Sequence, residues 1–216
     1  MPPKARFTRD KIEAAAFALA KEKGIQAVAA REVAKSMGMT VTPIFTYFSG
    51  MEELKACVLE RARQEFADSL RGSLDYTPSF KEFVLRWMRY ARKNPNLFRM
   101  LMRSEDGPSS LLEILDYFSD ILEPITNELG RTFRLSDADA ASLMRHMVVY
   151  TNGLTGFLLQ GDDTFTEEQL SAAVSQVCVS LALRAKVIDG SISLPEMKEL
   201  LSRASTIPQP RPVPAP

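Results

Sequence analysis

The 216-residue sequence predicts an all-α protein, with a small N-terminal three-helix module followed by a larger helical domain. Three observations predict it. Apolar residues recur at helical spacing, beginning with Ile12, Ala15, Ala16, Leu19 and Ala20. Strand signals are nearly absent, with no alternating β-branched run and no Asn-Gly hairpin turn. Helix-start residues stand directly ahead of periodic segments, as at Thr8, Ser136 and Thr166.

The elements follow in order. Residues 8–23 form a first helix, with Thr8 as N-cap and Gly24 as a left-handed C-cap. Residues 30–36 form a second, with Val33, Ala34 and Met37 turned inward, and residues 40–48 a third. Residues 51–71 make a fourth helix, ended near Gly72 and followed by a break at Tyr76-Thr77-Pro78. Residues 79–93 stop at Asn94-Pro95, because the residue before a proline avoids the helical region. A short helix at 97–103 ends in the loop Glu105-Asp106-Gly107-Pro108. A long one at 109–130 carries Pro124, where a kink is expected. Residues 136–160 begin with Ser136 and place Asp137 and Asp139 in the first turn, where they favour the helix dipole. Residues 166–188 open with Thr166 and Gln169 at the spacing of a capping box. A last short helix lies near 194–203. Five prolines in the final nine residues exclude helix there, so residues 205–216 read as a disordered or polyproline tail. An SH3-type ligand is the sharper reading of that tail, and a solvated end the plainer one.

Domain organisation follows charge. The chain has 27 basic and 27 acidic residues, so its formal net charge is zero. Residues 1–48 nevertheless hold Lys4, Arg6, Arg9, Lys11, Lys21, Lys23, Arg31 and Lys35 against four acidic residues, a net +4 offset by −4 in the remainder. A basic module thus sits on an acidic body, and distribution matters more than the sum. The expected boundaries are 1–50 for the module, 51–204 for the larger domain and 205–216 for the tail. Cys57 and Cys178 have neither metal spacing nor a partner nearby in sequence, which fits a reduced interior. The N-terminus MPPKARFTRD lacks the apolar stretch of a signal peptide, and no apolar run is expected to reach the about 18 residues of a membrane span. A cytoplasmic protein is expected, with no membrane contact.

The segment from Ala30 to Phe48, AREVAKSMGMTVTPIFTYF, carries the most information. Gly38 supplies the backbone freedom of a tight helix-to-helix turn. Thr40 stands at the expected N-cap of the next helix, and Pro43 is tolerable in its first turn, where backbone N–H groups have no intrahelical partner. Ile44, Tyr47 and Phe48, at i, i+3 and i+4, pack the short helix inward. The other side shows Val41, Thr42, Phe45 and Thr46, small or apolar and without charge. A two-turn helix of this kind suits a narrow concavity, such as the DNA major groove, about 12 Å wide. Threonine hydroxyls can bond base edges there, and apolar groups can touch the thymine methyl. On these residues alone, an ordinary αα-corner in a helical bundle remains open.

Residues 8–59 resemble the DNA-binding domain of TetR-type transcriptional repressors. The resemblance lies in the apolar first helix with its Lys23-Gly24 end, in Arg31-Glu32-Val33-Ala34, and in Met37-Gly38-Met39-Thr40. It continues in Ile44-Phe45-Thr46-Tyr47-Phe48 and Glu52-Glu53-Leu54, about a quarter of the chain. It implies a homodimer whose first three helices read a double-stranded operator and whose remaining helices bind a small ligand and dimerise. Thr40, Val41, Thr42, Phe45 and Thr46 then fall on the recognition helix. Tyr47 matches an aromatic beside the phosphate backbone, and Arg31 lies where family members touch DNA. Lys4, Arg6 and Arg9 precede the first helix, where they can approach phosphates or the minor groove. Such contacts bind without specifying sequence. Two departures stand out. Thr42-Pro43 replaces smaller residues, which alters base readout. Met51 replaces the usual lysine ahead of Glu52-Glu53-Leu54, leaving Lys55 as its nearest substitute.

Residues 172–185, AAVSQVCVSLALRA, are apolar nearly all round and call for burial on two sides. Helix 136–160 carries Gly153 and Gly156, with Gly161 beyond it, which permit close approach. Two such helices from each of two subunits make a four-helix interface, so helices 136–160 and 166–188 are the expected dimer surface. Trp87, Met88, Phe98, Met102, Phe118, Met144, Met147 and Tyr150 are large and adaptable, as are Tyr90, Met100 and Tyr117. With the resemblance they suggest a pocket for a small apolar or amphipathic effector, although plain core contains the same residues. His146, among Met144, Met147 and Val148, reads as a structural histidine, and Arg86, Arg89, Arg92 and Lys93 as a solvated face. No glycine-rich phosphate loop, metal-ligand cluster or nucleophile elbow occurs. Asp162-Asp163 and Glu167-Glu168 sit at helix ends, where capping explains them. No enzyme, cofactor or metal is expected. The alternative is a helical adaptor that binds a protein in place of DNA.

Overall fold

The computed structural model describes residues 7–71, 80–103, 111–160 and 165–204. All regular structure among them is helical: α1 (Arg9–Lys23), α2 (Ala30–Ser36), α3 (Thr42–Tyr47), α4 (Met51–Arg71), α5 (Phe80–Lys93), α6 (Pro95–Arg103), α7 (Leu111–Tyr117), α8 (Ser119–Phe133), α9 (Asp137–Leu158), α10 (Glu167–Ile188) and α11 (Leu194–Ala204). The readings placed on Lys4, Arg6, Gly72, Tyr76–Pro78, Glu105–Pro108, Gly161, Asp162-Asp163 and the proline-rich tail fall outside the described residues.

The chain divides into two compact units. Met1–Asp68 with Lys93–Ser110 form the first, and Ser69–Arg92 with Leu111–Pro216 the second. The first unit therefore extends past residue 50, taking in most of α4 and adding α6. Asn96 ties α6 to the end of α1 by donating from Nδ2 to the carbonyls of Lys21 (3.3 Å) and Glu22 (2.8 Å). Phe66 of α4 meets Phe98 of α6 edge to face, with centroids 5.8 Å apart. Ile12, Ala16 and Ala20 of α1, Val33 of α2, Ile44 of α3, and Leu54, Val58 and Ala62 of α4 are fully buried. Phe17, absent from the predicted stripe, is buried too, with the Arg61 guanidinium 4.8 Å from its ring centroid.

Helix boundaries follow local chemistry. Thr8 caps α1, its Oγ1 accepting from the Lys11 amide. Gly24 ends it at φ 88° and ψ 165°, a positive φ but not the left-handed helical conformation expected, so the chain leaves extended into a 3-10 turn at Ile25–Ala27. The stretch read as one helix over 109–130 is two. The break falls at Phe118, and Pro124 sits inside α8. The expected caps of α9 and α10 are present: Ser136 accepts from the Asp139 amide, and Thr166 and Gln169 form a reciprocal capping box.

In the second unit α9 packs against both α8 and α10, and α11 packs against α10. Close approach of α8 and α9 occurs at Gly130, where an added Cβ would stand 3.3 Å from that of Ala140. Phe83, Trp87 and Met88 of α5, Phe118 ahead of α8, Ile121 and Ile125 of α8, Met144, Met147 and Val148 of α9, and Val174 and Cys178 of α10 are buried. Arg71 pairs with Asp120. Arg89 pairs with Glu167, and Arg86 donates to Glu82 Oε1 (2.9 Å) and the Leu70 carbonyl (3.1 Å). Arg86 and Arg89 thus hold helices together and are not merely a solvated face. By length and composition α10 is apolar enough to cross a membrane, and 28% of the apolar window is buried.

Candidate nucleic-acid interface

The site is built on the turn between α2 and α3. Gly38 takes φ 61°. Its amide donates to the Lys35 carbonyl (3.2 Å) and the Met39 amide to that of Ala34 (3.0 Å), a double closure that satisfies the last carbonyls of α2. The chain then enters α3 through Val41, which occupies the N-cap position expected of Thr40 and provides no side-chain cap. Thr42 is the first helical residue and Pro43 the second, so Pro43 removes no intrahelical hydrogen bond.

Helix α3 has two unlike faces. Ile44 and Phe48 are buried and Tyr47 half-buried, fixing the helix on its unit. Val41, Thr42, Phe45 and Thr46 are exposed, with Phe45 at 51%. An exposed phenylalanine beside an exposed valine on a two-turn helix has no reason in the packing of its own unit. The Thr46 hydroxyl donates to the Thr42 carbonyl (3.1 Å), leaving its lone pairs outward. Thr40 and Arg31 are exposed, and Arg31 and Lys35 have no ion-pair partner among the described residues.

Two predicted backbone contacts are already engaged. Tyr47 donates its hydroxyl proton to the Phe7 carbonyl (3.0 Å). Lys55 is half-buried, its Nζ 3.2 Å from Glu52 Oε1. Arg9 is the first residue of α1 and reaches back across the site to Tyr47, Phe48 and Glu53. The sequence places Arg9 near phosphates or the minor groove, and gives neither Glu53 nor Ser49 a part in the site. The carboxylate of Glu53 accepts from the Ser49 amide (2.7 Å) and hydroxyl (2.8 Å), which with Arg9 lowers its pKa to about 2. The signal was a serine four residues before a glutamate at a helix start.

The eight predicted pocket residues are divided between the units. Trp87, Met88, Phe118, Met144 and Met147 are buried in the second, where Tyr150 is half-buried and burial raises its hydroxyl pKa. Phe98, buried, and Met102, half-buried, belong to the first. A groove of 640 Å³ beside the α8–α9 turn is lined by other residues, among them Asn127, Arg131 and Arg134. His146 is exposed, its Nδ1 donating to the Ser142 carbonyl of its own helix (2.7 Å). No group of His, Cys, Asp and Glu suited to a metal ion occurs among the described residues. Both cysteines are free, and burial pushes the Cys178 thiol up to about 11.

The described residues thus form an N-terminal helix-turn-helix, whose second helix presents an exposed uncharged face, followed by further helices. Residues 12–56 match the family described as bacterial regulatory proteins, tetR family. The whole chain shares its fold with a tetR-family transcriptional regulator from Streptomyces coelicolor, at 17% identity and a TM-score of 0.65. That match covers 99% of this chain and 94% of the other. A TetR-like transcriptional regulator from Rhodococcus sp. RHA1 is similar at 16% identity and a TM-score of 0.53, covering 85% and 97%.

Proposed function

We propose that the protein is a cytoplasmic, ligand-responsive repressor that binds a palindromic DNA operator as a homodimer. The observation that carries this reading is the outward face of α3, where Val41, Thr42, Phe45 and Thr46 stand exposed over a fully buried Ile44. Such a face gains by entering a groove that offers hydrogen-bonding edges and thymine methyls. Arg31 and Lys35 on α2 add positive charge for phosphates, which fixes orientation without reading sequence.

Dimerisation is supported by α9 and α10. Val149, Gly153 and Phe157 recur at i, i+4 and i+8 on α9, with Val149 at 55% and Phe157 at 61% exposure. The second side of α10 is apolar and only half-covered. A second copy would bury both and present two α3 helices to the two halves of a palindrome. Ligand response is supported by two buried hydroxyls of the second unit, Thr151 and Ser171, which lack hydrogen-bond partners among the described residues. Each costs about 1–3 kcal/mol unless something inside bonds it. An apolar effector with hydrogen-bonding groups would do so. It would shift the balance between DNA-binding and released forms by as much as its affinities for them differ.

The test is fluorescence anisotropy with DNA from upstream of the protein's own gene, titrated at several salt concentrations beside a scrambled duplex. Tight, salt-sensitive binding that prefers the upstream duplex is expected. No binding at low salt overturns the reading for the free protein and favours a helical adaptor for a protein partner.

A further inference from the structure

We propose that Arg9 is a positioning residue for the recognition helix, a clamp joining the end of α3 to the first turns of α4, and not a phosphate contact. Its consequence for DNA rests on the function proposed above; the clamp itself rests on geometry. One nitrogen of the guanidinium, Nη1, donates to the Tyr47 carbonyl at 2.6 Å. The other, Nη2, donates to Glu53 Oε1 at 2.8 Å and lies 3.5 Å from Cys57 Sγ. The guanidinium carbon stands 4.2 Å from the centroid of the Phe48 ring. A single side chain at the start of α1 therefore touches the last residue of α3, the residue after it, and two positions of α4.

Each contact meets a local need. The Tyr47 carbonyl ends a helix of six residues, where carbonyls have no intrahelical donor. Glu53 takes the Ser49 amide and hydroxyl on Oε2 and Arg9 on Oε1, so the turn between α3 and α4 is tied to α4 through one carboxylate. The Tyr47 hydroxyl, donated to the Phe7 carbonyl, closes the loop back to the residues before α1. A planar fork with two separate nitrogens can serve the carbonyl and the carboxylate together, whereas a lysine ammonium presents one nitrogen. To reach a phosphate, Arg9 would have to leave a carboxylate, a carbonyl and an aromatic face at once.

The test uses full-length R9K, R9A and E53Q with two readouts. The first needs no DNA: amide exchange at Phe48 and Ser49, compared with Val33 in α2. Faster exchange at Ser49 in all three variants, with Val33 unchanged, is expected. Unchanged exchange at Ser49 in R9K and R9A overturns the clamp. The second readout is operator affinity against salt. R9A and R9K should both lose affinity on the order of tenfold, within the range for coupled neighbours, and R9A/E53Q should lose little more than either alone. The slope of log affinity against log salt should not change. A lysine that restores wild-type affinity, with R9A lowering the slope by about 0.9, would show a direct phosphate contact and overturn the proposal. Should R9A not fold, R9K and E53Q carry the same comparison. Should the wild-type protein bind no DNA, the functional reading fails while the exchange measurement still decides the clamp.

Discussion

Ile44 and Phe45 are adjacent in sequence and opposite in exposure, 0% against 51%, so truncating each to alanine should have opposite consequences. A phenylalanine side chain carries about 150–250 Å² of surface. With half of it exposed, roughly 100 Å² is open to burial in a groove, an upper bound of about 2.5 kcal/mol at ~25 cal/mol per Å². If half of that area docks, Phe45→Ala weakens operator binding by about 1.2 kcal/mol, roughly eightfold. The loss should be independent of salt, since no charge is removed, and the melting temperature should scarcely move. Ile44→Ala opens a cavity in a packed core and should lower stability by about 2–5 kcal/mol, with affinity falling only through loss of folded protein. Thermal melts beside anisotropy titrations separate the two. A Phe45→Ala protein that melts early but binds at full strength would show that Phe45 supports the fold and does not face DNA.

Three more outcomes follow from named groups. Thr42→Ala should alter the relative affinities among operator variants; an equal loss on every duplex would remove Thr42 from base reading. Phe157→Arg, at an exposed α9 position, should shift a homodimer toward monomer in sedimentation velocity, and an undisturbed dimer would place the interface elsewhere. Glu53 has a folded pKa of about 2 against an ordinary value of 4.5, so its stabilisation is present above pH 4.5 and is lost as pH falls toward 2. In Glu53→Gln the melting temperature should fall less steeply across that window; parallel curves would show that the carboxylate contributes nothing there.

The helices were legible because their start signals act locally. Ser136 and Thr166 bond amides three residues on, and no distant contact overrides them. The two faces of α3 were legible for a similar reason, since a 3.6-residue period fixes which side chains share a side. What failed depended on distant partners or on backbone choices with several solutions. The helix break falls at Phe118, where the chain could continue by propensity, and Pro124 sits inside α8. The sequence places Arg9 near phosphates or the minor groove because its actual partners lie 38 and 44 residues away. Phe17 fell outside the stripe because the surface it meets is contributed by α4, and sequence spacing within α1 carries no record of that.

That dependence on distant partners changes the electrostatic reading of the first unit. Eight cations against four anions over residues 1–48 suggest a strongly attracting module. In the folded chain Arg9 is matched by Glu53, Lys21 by Glu65 and Lys23 by Glu22. Glu53 and Glu65 lie on α4, beyond the counted segment. Arg31 and Lys35, both exposed on α2, remain without ion-pair partners among the described residues. If each met a phosphate in the proposed homodimer, the four contacts would give a salt slope of about −3.6. Lys4 and Arg6, outside the described residues, steepen it if they reach phosphates. With few free cations on α2 and an uncharged α3, a DNA-binding role as proposed would draw its affinity in larger part from groove contacts, which are the contacts that distinguish one sequence from another. Under the proposed function the acidic partners on α4 act against indiscriminate binding, and the neutral face of Val41, Thr42, Phe45 and Thr46 is where a preference for an operator would arise.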